Sequence, residues 1–424
     1  MRNLGILGTL SILALAFAAP ATAALCNVDV APAATLLLPY FEVDLNNPNG
    51  LTTLFSVNNS SAQAVLAHID IMSDLSVPVL SFNIYLTGYD VQTINLRDIL
   101  VTGTLPQTAS TAQDPSDTIS PKGAKSQDIN FASCTGVLPP PPLPGSFLQH
   151  LQLSLTGKAS PILDGLCAGR NLGDTIARGY ITVDTVNNCT LRLPTDAAYF
   201  ASDITFQNVL WGDYMYANTT QNFASGGALV HIEASTTDPA TTTPGRYTFY
   251  GRYVGWNASD HREPLATSFG ARFANNGTFS GGTSFVVWRD SKTSQSAFAC
   301  PAGLSRPAWY PLGQEKVELF DEEEHVEVPE PFPFSAAPPT VPFNPFPAEA
   351  QRTKINGPDF PVPFDFGWIF LDLNTTVGGN PNPTFDPAAA QAWVVYEMDS
   401  NGHFSVGFEG LRLDSACAPS HMVP

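Results

Sequence analysis

Apolar runs in this chain are short and soon cut off by Asn, Ser, Gly or Pro, a pattern that disfavours long helices and favours strands joined by turns. Residues 54–57, 65–72 and 80–86 are rich in Val, Ile, Leu and Phe, with Asn58-Asn59-Ser60-Ser61 and Ser73-Asp74 between them. Phe82, Ile84 and Leu86 alternate with Ser81, Asn83 and Tyr85, the period of two expected of a half-buried strand. Similar segments recur at 176–186, 203–210, 228–234, 247–256 and 284–289, then at 366–373, 392–398 and 403–413. Between the last two, Asp399-Ser400-Asn401-Gly402 predicts a hairpin, because Asn and Gly accept the positive φ that tight turns require. Phe404, Val406 and Phe408 are expected on its buried face. The reading is all-β: an N-terminal immunoglobulin-like β-sandwich followed by a larger β-sandwich domain with one short helix and long loops.

Composition shifts suggest the boundaries. A leader is expected at 1–23 and the first sandwich at 24–104. Residues 105–145 turn to Ser, Thr, Asp, Gln and Pro and end in Pro139-Pro140-Pro141-Pro142-Leu143-Pro144, a stiff connector because consecutive prolines hold φ and lack an N–H donor. The second domain is expected at 146–320. An acidic, Pro-rich linker follows at 321–350, opening with Asp321-Glu322-Glu323-Glu324, where like charges and prolines favour an extended chain. Strands at 351–424 are expected to complete the second domain, since three strands alone make a marginal core. The helix is expected at 146–157. Ser146 and Gln149 match a capping box, Leu148, Leu151 and Leu155 recur at helical spacing, and Gly157 sits at the stop. His150 falls on the other face, toward solvent.

The first residues read as an export signal. Arg2 precedes a short apolar core over 10–18, and Pro20-Ala21-Thr22-Ala23 offers the small residues a signal peptidase needs, with cleavage expected after Ala23. The apolar core falls short of the roughly 20 residues that span a bilayer, and Leu25 before Cys26 is too large for lipoprotein processing. A soluble secreted or cell-surface protein is therefore expected, with no integral membrane segment after processing. Losing Arg2 moves the formal charge from −19 to −20. Such a chain repels phosphate backbones, so nucleic acid is not an expected partner, and neither is an anionic membrane surface. Surface glycans and envelope proteins are the partners that remain, and the pattern leaves the oligomeric state open.

Six cysteines, Cys26, Cys134, Cys167, Cys189, Cys300 and Cys417, all follow the leader. An even number in an exported chain points to disulfides. Six allow 15 connectivities, among which Cys300 with Cys417 is attractive because it would tie the last segment back across the Pro-rich stretch. No C-x-x-C pair occurs, so zinc and thioredoxin-like redox sites lack their usual spacing.

Signals for chemistry are sparse. The sequence has no Gly-x-Ser-x-Gly elbow and no His-Glu-x-x-His. His68-Ile69-Asp70 and His231-Ile232-Glu233 each put an imidazole and a carboxylate on one strand face, an arrangement that more often belongs to a polar strand face than to a catalytic base. No cofactor is expected apart from calcium, an ion suited to oxygen-rich loops. Asp44, Asn46 and Asn49, with Asn47, form one candidate loop, and Asp399 with Asn401, beside Glu397, another. Both depart from the EF-hand pattern, Pro48 and Phe408 standing where ligands belong, and turn formation explains either without metal. Trp211, Tyr214 and Tyr216 form the densest part of an aromatic group that also includes Tyr250, Tyr253, Trp256 and Trp288. On a sheet face they would stack against sugar rings; in a core they would fill it.

Leu38-Pro39-Tyr40-Phe41-Glu42, Tyr85-Leu86-Thr87-Gly88-Tyr89-Asp90-Val91-Gln92 and Ala177-Arg178-Gly179-Tyr180-Ile181-Thr182-Val183-Asp184-Thr185-Val186-Asn187-Asn188-Cys189 resemble phrases in a family of secreted bacterial proteins with no assigned function. The resemblance extends over most of the mature chain and implies bacterial export without implying an activity. The expectation is a secreted or cell-surface, non-catalytic binding or structural protein. A secreted hydrolase acting on polysaccharide and a cell-envelope scaffold subunit are the alternatives.

Overall fold

The computed structural model describes residues 30–106, 131–138, 140–236, 248–254, 260–291, 296–300, 307, 310–313, 316–327, 344–357, 360–362, 364–374 and 391–414. Ten strands precede residue 233: β1 (Thr35–Asp44), β2 (Thr52–Asn59), β3 (Val65–Ser73), β4 (Pro78–Leu86), β5 (Val91–Asn95), β6 (Ile176–Val186), β7 (Leu210–Trp211), β8 (Asp213–Asn218), β9 (Phe223–Ala228) and β10 (Val230–Ile232). They form a first sheet, β5-β2-β8-β9 with β7 beside β2, and a second, β10-β1-β6-β3-β4. Nine more follow: β11 (Ser268–Ala274), β12 (Gly282–Arg289), β13 (Lys316–Phe320), β14 (Val326–Glu327), β15 (Ala350–Lys354), β16 (Phe366–Asp372), β17 (Ala392–Asp399), β18 (Ser405–Glu409) and β19 (Leu411–Arg412). These give a third sheet, β15-β12-β17-β18, and a fourth, β14-β13-β16-β11-β19.

Side-chain alternation turns the four sheets into a stack with three cores. On β1, Leu36, Leu38, Phe41 and Val43 pack toward the first sheet with Phe55 and Val57 of β2, while Leu37 and Tyr40 pack toward the third sheet with Val286 and Trp288 of β12. On β12, Phe285 and Val287 face the fourth sheet and meet Phe269, Ile369 and Leu371. The second sheet is therefore covered on both sides, and β1 and β3 are buried almost throughout. Each buried Leu, Ile or Phe stabilises the fold by roughly 1.5–3 kcal/mol. Pro39 falls where the β1–β6 register shifts between Leu38 and Phe41, since a residue without an N–H suits a bulge better than a regular ladder.

The fold is all-β with a short helix, and several finer expectations change. Strands expected in separate domains at 24–104 and 146–320 share sheets: β1 pairs with β6 and β10, and β2 with β8. The break in sheet membership instead falls between Ile232 and Ser268, because the early strands have edges that only later strands cover. The expected half-buried β4 is buried on both faces, with Tyr85 and Asn83 enclosed as well as Phe82 and Ile84. Residues 203–210 do not form a strand; a helical turn at Tyr199–Asp203 leads irregularly into β7. In 247–256 the described part holds a short helix, Gly251–Val254.

The helix α1 runs Gly145–Leu155, and Pro144 rather than Ser146 stands at its start, with no side-chain cap. The Pro144 carbonyl accepts from the Phe147 and Leu148 amides. His150 joins Leu151, Ser154 and Leu155 on the buried stripe, its Nδ1 2.8 Å from Ser160 Oγ. Gly157 does end the helix, at φ +68°, where an added Cβ would lie 2.1 Å from the Arg170 backbone. The expected hairpin forms, with Asp399 opposite Ser405 and Asn401 and Gly402 at positive φ, but Phe404 is exposed. Asp321–Glu324 forms the turn between β13 and β14, and 328–343 lies outside the described residues. Two disulfides join Cys134 to Cys189 and Cys167 to Cys300. Cys300 therefore does not pair with Cys417, which, like Cys26, lies outside the described residues. Among the described residues no helix is long and apolar enough to cross a membrane.

Candidate functional site

The outer face of the first sheet carries a groove of about 730 Å³. Alternation determines what lines it. In the first row across the strands, Asn58 of β2 lies between Val91 of β5 and Trp211 of β7. Two residues along, Ser56 opposes Thr93 and bonds Asp213, and in the next row Leu54 opposes Met215, which opposes Gly226 of β9. Val91, Trp211 and Met215 are 59%, 41% and 44% exposed. The run Ala224-Ser225-Gly226-Gly227 adds only small side chains, which keeps that flank low. Gly212 separates Trp211 from Asp213 where a Cβ would stand 2.2 Å from the Ser56 carbonyl oxygen, so only glycine lets β7 and β8 approach β2 here.

Hydrogen-bond direction in the groove follows from one hydroxyl. Ser56 Oγ lies 2.8 Å from Asp213 Oδ1, and a carboxylate can only accept, so the single Ser56 proton goes there. The same oxygen then accepts from Asn58 Nδ2 at 3.0 Å and from the Asp213 amide at 3.2 Å. This turns the Asn58 amide so that Nδ2 has a partner and Oδ1 has none. That oxygen is buried without a hydrogen-bond partner on a side chain only 1% exposed, and an unmet buried acceptor costs about 1–3 kcal/mol.

Period two also separates the aromatic cluster that the sequence brings together. Trp211 faces out. Tyr214 and Tyr216, of opposite parity to Asp213 and Met215, belong to the first core; Tyr216 donates to the Tyr40 carbonyl at 2.8 Å. Burial pushes the Tyr214 phenol up, and the charge of Glu409 adds to the effect. Tyr250 and Trp288 fill the second core, with Tyr253 packed against it, and Trp256 lies outside the described residues.

The other residues singled out above are engaged elsewhere. Asp44 Oδ1 accepts from the Asn46 and Asn47 amides, and Asn47 Oδ1 from the Asn49 amide. The carbonyls of Asp44, Asn47, Gly50 and Leu51 all accept from the Arg97 guanidinium, so an arginine organises this loop where a cation would. Glu397 turns inward to Arg352, apart from the hairpin residues Asp399 and Asn401. His231 Nε2 accepts from the Gly212 amide at 3.3 Å, and burial lowers its pKa.

His68 Nε2 lies 3.2 Å from Asp70 Oδ1, close as an ion pair though not aligned as a hydrogen bond. Its Nδ1 is 3.1 Å from Asn83 Oδ1, and Asn83 Nδ2 donates to the Thr190 carbonyl, which leaves Oδ1 as acceptor and makes Nδ1 the donor. Burial disfavours the charged ring, but Asp70 and these bonds outweigh it and raise the pKa to about 9. The pair belongs to a larger set of ion pairs around the second core. Glu42 meets Arg352 at 2.8 Å and Arg178 at 3.6 Å, Arg252 meets Glu349 at 3.0 Å, and Asp184 faces Arg262 at 3.6 Å. Asp184 also accepts from Tyr199 at 2.7 Å and Tyr250 at 2.8 Å. His68 Nε2, Asp70 Oδ2, Arg262 Nη1, Arg352 Nη2 and Glu397 Oε1 are left without a hydrogen-bond partner, but none of these residues lines the groove.

A second hollow, of about 810 Å³, lies along Asn188–Asp196 with Ser202 and Asp203. Of its charged groups, Arg192 and Asp203 already pair at 3.0 Å and Asp196 accepts from the Ala198 amide, so the smaller groove is the better candidate. No family model, curated protein or solved structure matches the chain. Asn58 and Ser56 were missed in the sequence because Asn58-Asn59-Ser60-Ser61 reads as a turn; the period Leu54, Ser56, Asn58 was the available signal.

Proposed function

We propose that this is an exported, non-catalytic protein that binds glycan in the groove of the first sheet. The observation that carries the reading is an exposed Trp211 beside Asn58, whose buried acceptor is unmet, and beside the carboxylate of Asp213. Indole faces stack on the C–H face of a sugar ring while its rim hydroxyls seek polar partners. The leader, the acidic charge and the disulfides support an extracellular or cell-surface setting. Hydrolysis is less well supported, because a glycosidase needs two carboxylates flanking the bond and the groove lining contributes one, Asp213.

The test is a glycan array probed with wild type and Trp211→Ala. Binding that the substitution lowers at least about tenfold supports the reading, in line with roughly 1–3 kcal/mol for losing an aromatic contact. Binding unaffected by the substitution removes the groove from the account. Release of reducing sugar from a bound polysaccharide would favour the hydrolase instead.

A further inference from the structure

The polar floor of the groove holds two fixed acceptors, Asp213 and Asn58 Oδ1, beside the Thr93 hydroxyl and the Trp211 indole N–H. Asp213 can only accept, and Asn58 is turned so that Oδ1 is its unmet group. Ser56 has committed its proton to Asp213. Among the residues that line the groove, none is Lys, Arg or His.

Resting on the glycan-binding reading, the geometry points to a ligand class: sugar units that offer hydrogen-bond donors and carry no negative charge, namely neutral or amine-bearing oligosaccharides, with uronic and sulfated sugars rejected. A ring hydroxyl donating to Asn58 Oδ1 meets the acceptor left unmet in the sheet. A second donor reaches the carboxylate of Asp213, and the Trp211 face covers the apolar side of the ring. A uronate or sulfate brings negative charge to a face whose one charged lining group is the Asp213 carboxylate, with no cation to offset it, and like charges in contact are strongly disfavoured. Asp213 is thus assigned as the specificity-determining residue and Trp211 as the affinity-determining one.

Calorimetry with the full chain tests this using four hexasaccharide probes: a neutral β-1,4-glucan, its amine-bearing counterpart, an oligogalacturonate and a sulfated glucan. The expected order places the neutral and amine-bearing probes at least about tenfold tighter than both anionic ones at low salt. Added salt should narrow the gap. Asp213→Asn should narrow it further by strengthening anionic binding, and circular dichroism and thermal unfolding verify that the variant is folded. Anionic probes that bind as tightly as neutral ones and lose affinity on Trp211→Ala would overturn the inference while leaving the glycan reading in place. Failure of all four probes would overturn both.

Discussion

The outer face of the first sheet and the layer between the second and third sheets are built from the same residue types and do opposite things with them. Between the sheets, carboxylates meet arginines: Glu42 and Glu397 share Arg352, and Glu349 meets Arg252. Asp184, facing Arg262, also takes the hydroxyls of Tyr199 and Tyr250. In the groove, Asp213 has Ser56, no arginine lines the face, and Asn58 keeps an unmet acceptor. A cluster of carboxylates and aromatics is therefore no mark of a site by itself. What distinguishes the groove is where its unmet group lies: Asn58 lines an open face, whereas the unmet atoms of the layer, among them Arg352 Nη2 and Glu397 Oε1, are enclosed between sheets.

The largest test of this contrast is Arg352→Met. It strands Glu397 and leaves Glu42 with only Arg178 and Tyr40, and removing one partner of a buried pair costs about 3–5 kcal/mol, read by urea unfolding. A loss under about 1 kcal/mol would show that paired charge does not hold this layer together.

The next is pH. His68, with its pKa raised from 6.5 to about 9, binds its proton better in the folded state. Its stabilisation is complete below about pH 6.5 and disappears as pH rises through 9. At about 1.4 kcal/mol per unit the loss is at most about 3–4 kcal/mol. His150, His231 and His261 shift the other way through burial, so their effect falls on the acid side of this window. Unfolding curves between pH 6.5 and 9.5 should slope downward for wild type and flatten for His68→Gln; equal slopes would remove His68 from the account.

A smaller effect is expected of Tyr250→Phe, which takes one donor from Asp184 and should destabilise by about 1–2 kcal/mol. The smallest is Trp211→Ala. On the exposed face it should change stability by no more than about 0.5 kcal/mol while glycan affinity drops. If Trp211→Ala destabilised as much as Tyr250→Phe, the outer face would be structural and the contrast would fail.

Local pattern made much of this legible. Residues 176–186 and 392–398 read as strands because β-branched and aromatic side chains suit a pleated, buried surface, and Asp399-Ser400-Asn401-Gly402 reads as a turn because Asn401 and Gly402 take positive φ. Trp211 was visible as a stacking candidate. The parity that sends Tyr214 and Tyr216 inward was also available, once 213–218 is read as a strand. His150 lies on the buried stripe although the pattern points it to solvent, because an amphipathic pattern does not say how wide the covered stripe is, and Ser160, ten residues on, offers a partner that only the folded chain supplies.

The amino-acid order by itself settled the all-β character, the turns and the pairing-competent cysteines, since φ preferences and period-two burial act over a few residues. Tertiary structure decided which strands meet, giving β1 its partners β6 and β10, and set Cys167 against Cys300 across a separation of 133 residues. It also decided that Asn58 presents oxygen, because the proton that orients it belongs to Ser56 and is claimed by a carboxylate 157 residues from Ser56. Strand partners and hydrogen-bond directions are properties of segments brought together in space, and no local periodicity encodes them.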